Sequence, residues 1–376
     1  MASYRIVSAD DHIVEPADLW TTRLESSFMD RAPHIVREGS SDWWHCDGMR
    51  LIGMAITGAQ TGKRFETPED MSFDDLYENL RPGGYIPEEH IRDMDADGVD
   101  VSILYPTVSL VLYRIEDSKL VDAMFRAYND LLVEYCSANP KRLKGIAILN
   151  VDDVGVGVKE LERCAKLGCV GALIPVYPPA DMRYDSPAYD PLWAAAQDLE
   201  IPISLHSATN RVGSGESFNE GFKSTENARR SIICNMDHYV RVSLTRMIFA
   251  GIFERFPKLQ VGAVEHELAW APHFLERIDY SYTQRAAGAT GYRFQGAMIP
   301  SDFFHRNVFL GFQEDRLGIR LRDIIGVDNL QWGSDYPHQE STFPRSREIL
   351  EEVLADCTEE EKAKIAGGNA SRVYRL

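Results

Sequence analysis

VSADDH, residues Val7 to His12, ends a short apolar run on an Asp-x-His pair, Asp10 and His12. The same arrangement recurs further along the chain: ISLH closes on His206, VGAVEH on His266 and QWGSD on Asp335. Two acids and three histidines therefore share one kind of position, immediately after an apolar run. Parallel strands closed into a barrel all end on one face, and the loops that follow them converge there, so residues far apart in sequence can meet. Side chains of this chemistry gathered at one barrel mouth point to a metalloenzyme.

The spacing of the apolar runs supports that geometry. Eight of them can be marked, at Tyr4–Ser8, Val101–Tyr105, Gly145–Leu149, Val170–Ile174, Ile203–His206, Gln260–Val264, Val308–Gly311 and Leu330–Gly333. Several are apolar on consecutive residues, the pattern of strands buried on both faces. Helical periodicity fills most of the intervals: Ile91, Met94 and Ala96 fall near one side of Glu88–Asp97, and Leu120, Ala123, Met124, Ala127, Leu131 and Leu132 recur through Ser118–Ala138. Asn139-Pro140 stops the second of these helices. Asp152 is the expected N-cap of the next helix, Gly168 its terminal glycine, and Thr358 with Glu361 a capping box near the C-terminus. The pattern predicts an α/β fold of the (β/α)8 TIM-barrel type.

One stretch interrupts the alternation. Residues 16–87 carry Trp20, Trp43 and Trp44 among scattered glycines and prolines, with DWWHCDG and MRLIGMAITG as short strands and no single long helix. This predicts an inserted β-rich flap after strand 1, beside the barrel mouth. A Gly- and Ser-rich segment after the fifth strand, Ser207–Glu220, is expected to form a loop or lid. The 376 residues, 44% of them hydrophobic, suffice for one large core, so a single domain over residues 1–376 is expected, with the 16–87 flap inside it.

A net charge of −18 argues against a nucleic acid or an anionic membrane as partner, while leaving room for a local basic pocket that takes a small acid. The six cysteines form no CxxC pair, which fits a reducing cytosol. No basic leader precedes the first strand and no apolar run reaches membrane-spanning length, so a cytoplasmic protein is expected.

Taken singly, each candidate ligand has a plainer reading. Asp-x-His can be a solvated turn, His206 a satisfied core histidine, and Asp335 a helix N-cap with Pro337 in the first turn. Taken together, at the ends of strands one, five, six and eight, they resemble a known family. SADDHIVEP, IRDMDADGVDVSILYP, ISLH, LTRMIFAGIFERFPKLQVGAVEHELAWAPHFLERID and LQWGSDYPH are similar to the amidohydrolase superfamily, in the branch of aminocarboxymuconate-semialdehyde decarboxylase and related aromatic-acid decarboxylases. The likeness extends over most of the chain, is densest from Ser204 to Pro337, and is thinnest from Pro16 to Pro87.

That resemblance implies Asp10, His12, His206 and Asp335 as metal ligands and His266 as a catalytic residue near the metal, with Asp335 also catalytic. Many superfamily members carry His-x-His on the first strand; the Asp10 found here resembles the acidic residue that several decarboxylases of the branch place there. Ile174-Pro175-Val176 stands where two-metal members carry a bridging lysine, so one divalent ion is implied. The donor set suits Zn2+, and its oxygen share also accepts Mn2+. The reaction implied is non-oxidative decarboxylation of an aromatic or unsaturated carboxylic acid. The alternative is hydrolysis of an amide, ester, lactone or carbon–carbon bond by a metal-activated water, and the third reading is a catalytically silent barrel. Arg50, Arg211 and Arg277 are candidates for the group that meets a substrate carboxylate; Trp20, Trp43, Trp44, Phe218, Phe222 and Tyr336 are candidates for lining an apolar pocket. A small-molecule substrate and a homodimer complete the expectation.

Overall fold

The computed structural model describes residues 4–214, 234–284 and 293–376. Its strands are β1 (Val7–Ile13), β2 (His34–Glu38), β3 (Ser41–Cys46), β4 (Met49–Gly53), β5 (Val101–Pro106), β6 (Leu143–Ile148), β7 (Gly171–Ile174), β8 (Ile203–His206), β9 (Val261–Val264), β10 (Val308–Phe312) and β11 (Leu330–Trp332). Eight of them form one sheet in the order β1-β5-β6-β7-β8-β9-β10-β11, with every ladder parallel. They are buried along nearly their whole length, as consecutive apolar residues require of strands covered on both faces.

The two edges of this sheet meet just beyond β11. The Asp335 amide donates to the Asp10 carbonyl at 2.7 Å, and the His12 amide donates to the Tyr336 carbonyl at 2.6 Å. Gly333 makes the approach possible, because a Cβ there would lie 2.6 Å from Asp10 Cβ. The seam that closes the barrel is thus built by the same two segments that carry three of the candidate ligands.

Helices fill the crossovers: α1 (Pro87–Asp97), α2 (Ser118–Ser137), α3 (Val154–Lys166), α4 (Asp190–Leu199), α5 (Asp237–Phe249), α6 (Ala271–Gln284), α7 (Pro300–Asn307), α8 (Ser346–Val353) and α9 (Asn369–Tyr374). The N-cap of α3 is Asp153 rather than Asp152: its Oδ1 accepts from the Gly155 and Val156 amides at 2.9 and 3.2 Å. Asp153 directly precedes the first helical residue, and this leaves Asp152 to pair with Arg211 at 2.6 Å. Gly168 follows α3 with φ +97°, and the Thr358–Glu361 capping box is present.

The first strand is longer than its apolar run suggests. The register between β1 and β5 shifts between Ser8 and Asp11, so Asp10 and His12 lie inside a bulged strand instead of after it. A bulge relaxes strict alternation, which explains how Asp10, Asp11 and His12 are all buried. Between β1 and β5, the β-rich insertion is the antiparallel sheet β2-β3-β4, and the rest of the 16–87 stretch is short helical segments. MRLIGMAITG stops being a strand at Gly53. Ala55–Ala59 coils instead, bringing Gly58 (φ +129°) against Pro337, while the Thr61 hydroxyl donates to the Pro337 carbonyl.

His90, on α1, is fully buried between the Gly83 carbonyl (3.0 Å from Nδ1) and Ser102 Oγ (3.2 Å from Nε2). Burial lowers it from its ordinary 6.5 to about 4. The unfolded chain therefore takes up a proton first as pH falls, and stability is lost between about pH 6.5 and 4, by roughly 3 kcal/mol from this group. A His90→Asn protein should accordingly lose roughly 3 kcal/mol less stability than wild type between about pH 7 and pH 4, measured by urea unfolding. Equal losses in the two proteins would contradict the assignment.

Candidate metal centre

β1, β8 and the turn after β11 bring four predicted residues together. Asp10 Oδ1 lies 3.4 Å from His12 Nε2 and 3.4 Å from His206 Nε2, and Asp335 Oδ1 lies 3.1 Å from His12 Nε2. All four residues are buried. Each histidine is oriented from behind: His12 Nδ1–H donates to the Pro106 carbonyl at 2.8 Å, and His206 Nδ1–H to the Ser207 carbonyl at 3.1 Å. With Nδ1 occupied in this way, both Nε2 lone pairs face the cluster.

Asp10 Oδ1, His12 Nε2 and His206 Nε2 then have no hydrogen-bond partner. Leaving a buried polar atom unpaired costs roughly 1–3 kcal/mol, so three convergent acceptors are expensive unless something positive sits among them. Two groups of donor atoms lie mutually within 4.8 Å, Asp10–His12–His206 and His12–Asp335–His338. Nitrogen and carboxylate donors in this number fit a divalent cation, and they share His12, as ligands of one ion would.

The electrostatics agree. Burial pushes the Asp10 carboxyl up, but His206 and His12 outweigh it and hold it below the ordinary range. Burial likewise pushes His12 and His206 down, and the facing carboxylates reverse both shifts. Asp335 is held low against its burial by His338 and His12. Acids and imidazoles in this cluster stabilise each other's charged forms; a cation would take over the role of the imidazole protons.

His266 stands apart from both groups. It follows β9 between Glu265 and Glu267, two non-glycine residues at φ +59° and +55°. Its Nδ1–H donates to the Met236 carbonyl at 3.1 Å, its Nε2 is unpartnered, and burial lowers it to about 3. It is therefore a neutral imidazole presenting an acceptor. Ala208 and Asp335 also have positive φ, so left-handed backbone recurs where β8, β9 and β11 end. Such conformations cost of order 1–3 kcal/mol each and persist where surrounding bonds hold them.

Those bonds come from residues without a predicted role. Asp11 does not join the cluster; its Oδ1 accepts from Ser8 Oγ at 2.7 Å and the Tyr336 amide at 3.2 Å, while Ser8 Oγ accepts from the Ser334 amide at 2.8 Å. Glu15 is buried and accepts from the Val108 and Ser109 amides, both at 2.8 Å, tying the turn after β5 to the end of β1. His338 was the missed neighbour: its Nδ1 lies 2.8 Å from Asp335 Oδ1 and its ring 4.0 Å from that of His12. It stands three residues beyond Asp335, a spacing that the motif LQWGSDYPH displays.

The proposed substrate-binding residues stand elsewhere. Arg211 is buried, but its guanidinium is committed to Asp152 and to the Tyr113, Ile115 and Glu116 carbonyls, fastening the loop after β8 to the turn after β5. Arg50 is exposed on the β2-β3-β4 sheet, 3.0 Å from Glu38 and over the Trp43 ring. Trp44 is buried edge-on to Trp20, as core packing. Arg277 is exposed beside Tyr280. Tyr336 packs on His90 and donates its hydroxyl to Asp93. Phe218, Phe222 and the lid segment beyond Ser214 lie outside the described residues. A buried cation does occur on the turn after β5: Arg114, lowered to about 10 by burial and still protonated at neutral pH, with Nη1 3.4 Å from the Leu51 carbonyl.

An eight-stranded α/β barrel with buried carboxylate and imidazole donors converging at its strand ends defines a metal-site barrel enzyme. The chain belongs to the amidohydrolase family, whose model matches residues 34–376. It is 26% identical over 300 residues to gamma-resorcylate decarboxylase of Polaromonas sp. (strain JS666), covering 77% of this chain and 88% of that one. Among solved structures, it is similar to the amidohydrolase map2389c of Mycobacterium avium subsp. paratuberculosis, with TM-score 0.80, 20% identity and 100% of both chains covered. It is also similar to dihydroxybenzoic acid decarboxylase of Polaromonas sp. JS666, crystallised with manganese and the inhibitor 2-nitroresorcinol, with TM-score 0.65, 21% identity and 99% and 97% of the two chains covered.

Proposed function

We propose that this protein is a metal-dependent carboxy-lyase that removes carbon dioxide non-oxidatively from a hydroxylated aromatic acid. The observation that carries the proposal is the set of convergent, unpartnered acceptors, Asp10 Oδ1, His12 Nε2 and His206 Nε2, beside Asp335. Asp10, His12, His206 and Asp335 would hold one divalent ion. Bound there, the ion would neutralise the substrate carboxylate and a neighbouring ring oxygen. Manganese in a related decarboxylase supports Mn2+, and the two imidazoles keep Zn2+ as the alternative.

The chain's own groups supply the rest. His266, neutral and with Nε2 unpartnered, accepts a hydrogen bond from a substrate hydroxyl and so raises electron density in the ring. Asp335, bonded to His338, carries a proton to the ring carbon that bears the carboxylate. The carbon–carboxylate bond then breaks, its electron pair restores the aromatic ring, and carbon dioxide leaves. No oxidant is needed. Arg114 adds positive charge on the turn after β5, and residues 16–87, docked on Pro337 through Thr61, act as a flap beside the site. Exposed Leu317 and Ile324 support a homodimer, and six free cysteines support a cytoplasmic setting. No helix among the described residues is long and apolar enough to cross a membrane.

A panel of hydroxybenzoates, unsaturated acids, esters and lactones tests the reaction. The expected result is carbon dioxide from at least one acid, falling by roughly 100-fold or more after chelation and restored by Mn2+ or Zn2+. Ester or lactone hydrolysis without carbon dioxide release would replace the proposal with the hydrolytic one.

A further inference from the structure

We infer that Asn210 is a substrate-recognition residue that reads a ring hydroxyl, an inference that rests on the decarboxylase proposal. Asn210 is 8% exposed, and neither its Nδ2 nor its Oδ1 has a hydrogen-bond partner. The contrast with the other buried asparagines is direct. Asn129 bonds the Ile148 carbonyl and amide; Asn307 bonds the Pro257 and Leu259 carbonyls. Asn329 bonds the His305 and Val308 carbonyls, Asn369 those of Val327 and Leu330, and Asn150 reaches Ser118 and Asp122. In this chain, a buried asparagine with a structural task has its amide satisfied. Asn210 does not.

Its place in the fold suggests what it serves. It lies four residues beyond His206, at the carboxyl ends of the barrel strands, where ligands of this architecture bind. The backbone on either side is fixed. Thr209 Oγ1 donates to the His206 carbonyl at 2.6 Å and accepts from the Val176 amide at 2.8 Å; the Arg211 amide donates to the Tyr177 carbonyl at 3.0 Å. Asn210 itself bridges Tyr177, and Arg211 is locked by its pair with Asp152. The amide is thus carried on a braced segment joined directly to a ligand-bearing strand, which is the preorganisation a recognition group needs.

The amide also constrains the chemistry of its partner. Nδ2 is satisfied by any acceptor, but Oδ1 requires a donor. A carboxylate, an ether oxygen or a halogen leaves Oδ1 unpaired, whereas a phenolic hydroxyl supplies the missing O–H. Asn210 should therefore select for a ring hydroxyl and against its methyl ether.

The test compares wild type, Asn210→Leu and Asn210→Asp, each loaded with Mn2+, on hydroxybenzoates and their methoxy counterparts. Wild type should prefer the hydroxyl by roughly 100-fold or more in kcat/KM. Asn210→Leu should lose that preference, chiefly through KM, while Asn210→Asp, which keeps an acceptor, should retain it. An Asn210→Leu protein with unchanged hydroxyl-to-methoxy ratio, whatever its overall activity, would overturn the inference. Calorimetric binding of resorcinol and 1,3-dimethoxybenzene separates this from the reaction itself. If no acid releases carbon dioxide, resorcinol binding that Asn210→Leu weakens roughly 100-fold, with dimethoxybenzene unaffected, would uphold the role of Asn210. Equal resorcinol affinity in wild type and Asn210→Leu would overturn it.

Discussion

A His206→Ala protein should retain less than about a tenth of the metal of wild type after dialysis and should lose at least about 100-fold in kcat/KM, since weakening even the groups behind a metal ligand costs 10–100-fold. The expectation follows from three features of His206. It is fully buried, its Nδ1 is held by the Ser207 carbonyl, and its Nε2 faces Asp10 Oδ1 with no other partner. Removing the imidazole leaves Asp10 with one facing nitrogen fewer and opens a polar void that water can fill but a divalent ion holds poorly. His206→Gln is the companion variant, because it keeps a polar side chain of comparable reach if the alanine protein unfolds. Elemental analysis of both folded proteins gives the readout, and full metal occupancy in either one would sink the assignment of the centre.

The second large effect is expected at Asp335. Asp335→Asn preserves shape and removes the carried proton, so kcat should fall by about 10²–10⁴ while KM changes little. The residue sits where chemistry and architecture meet. Its amide closes the barrel on Asp10, its backbone is left-handed, and its carboxylate lies between His12 and His338. The asparagine keeps the backbone bond, so the melting temperature should stay close to that of wild type. Loss of activity with matching loss of folding would show that Asp335 acts only as the clasp, and a kcat within tenfold of wild type would remove it as proton carrier.

Much of this was legible in the chain before any coordinates. Consecutive apolar residues in ISLH, VGAV and VFLG can be satisfied only inside a covered sheet, and histidine or aspartate at the ends of such runs converge once the strands are parallel. That reading placed Asp10, His12, His206 and Asp335 together. It failed where the outcome depends on bonds between remote segments. Asp335 begins no helix, because the following residues turn back against β1 and the insertion instead of winding. Asp11 was expected to point away, yet the bulge in β1 turns it into the seam shared by Ser8, Ser102 and Tyr336.

The arginines fared worst, for a physical reason. A guanidinium can be a substrate clamp, a structural tie or a surface charge, and only its partners distinguish these. Arg211 proved to be a tie because Asp152 and three carbonyls surround it; Arg50 is a surface charge because Glu38 and the face of Trp43 are its neighbours. Asn210 illustrates the converse: nothing in its sequence context marks it, and what singles it out is the absence of partners around a buried amide.

The most direct measurement is isotopic. A carboxyl-13C-labelled dihydroxybenzoate, incubated in D2O with the Mn2+-loaded protein, should release labelled carbon dioxide and yield a phenol carrying one deuterium at the vacated ring carbon. Recovery of the labelled acid intact, from a protein that hydrolyses an ester or lactone under the same conditions, would contradict the proposed function.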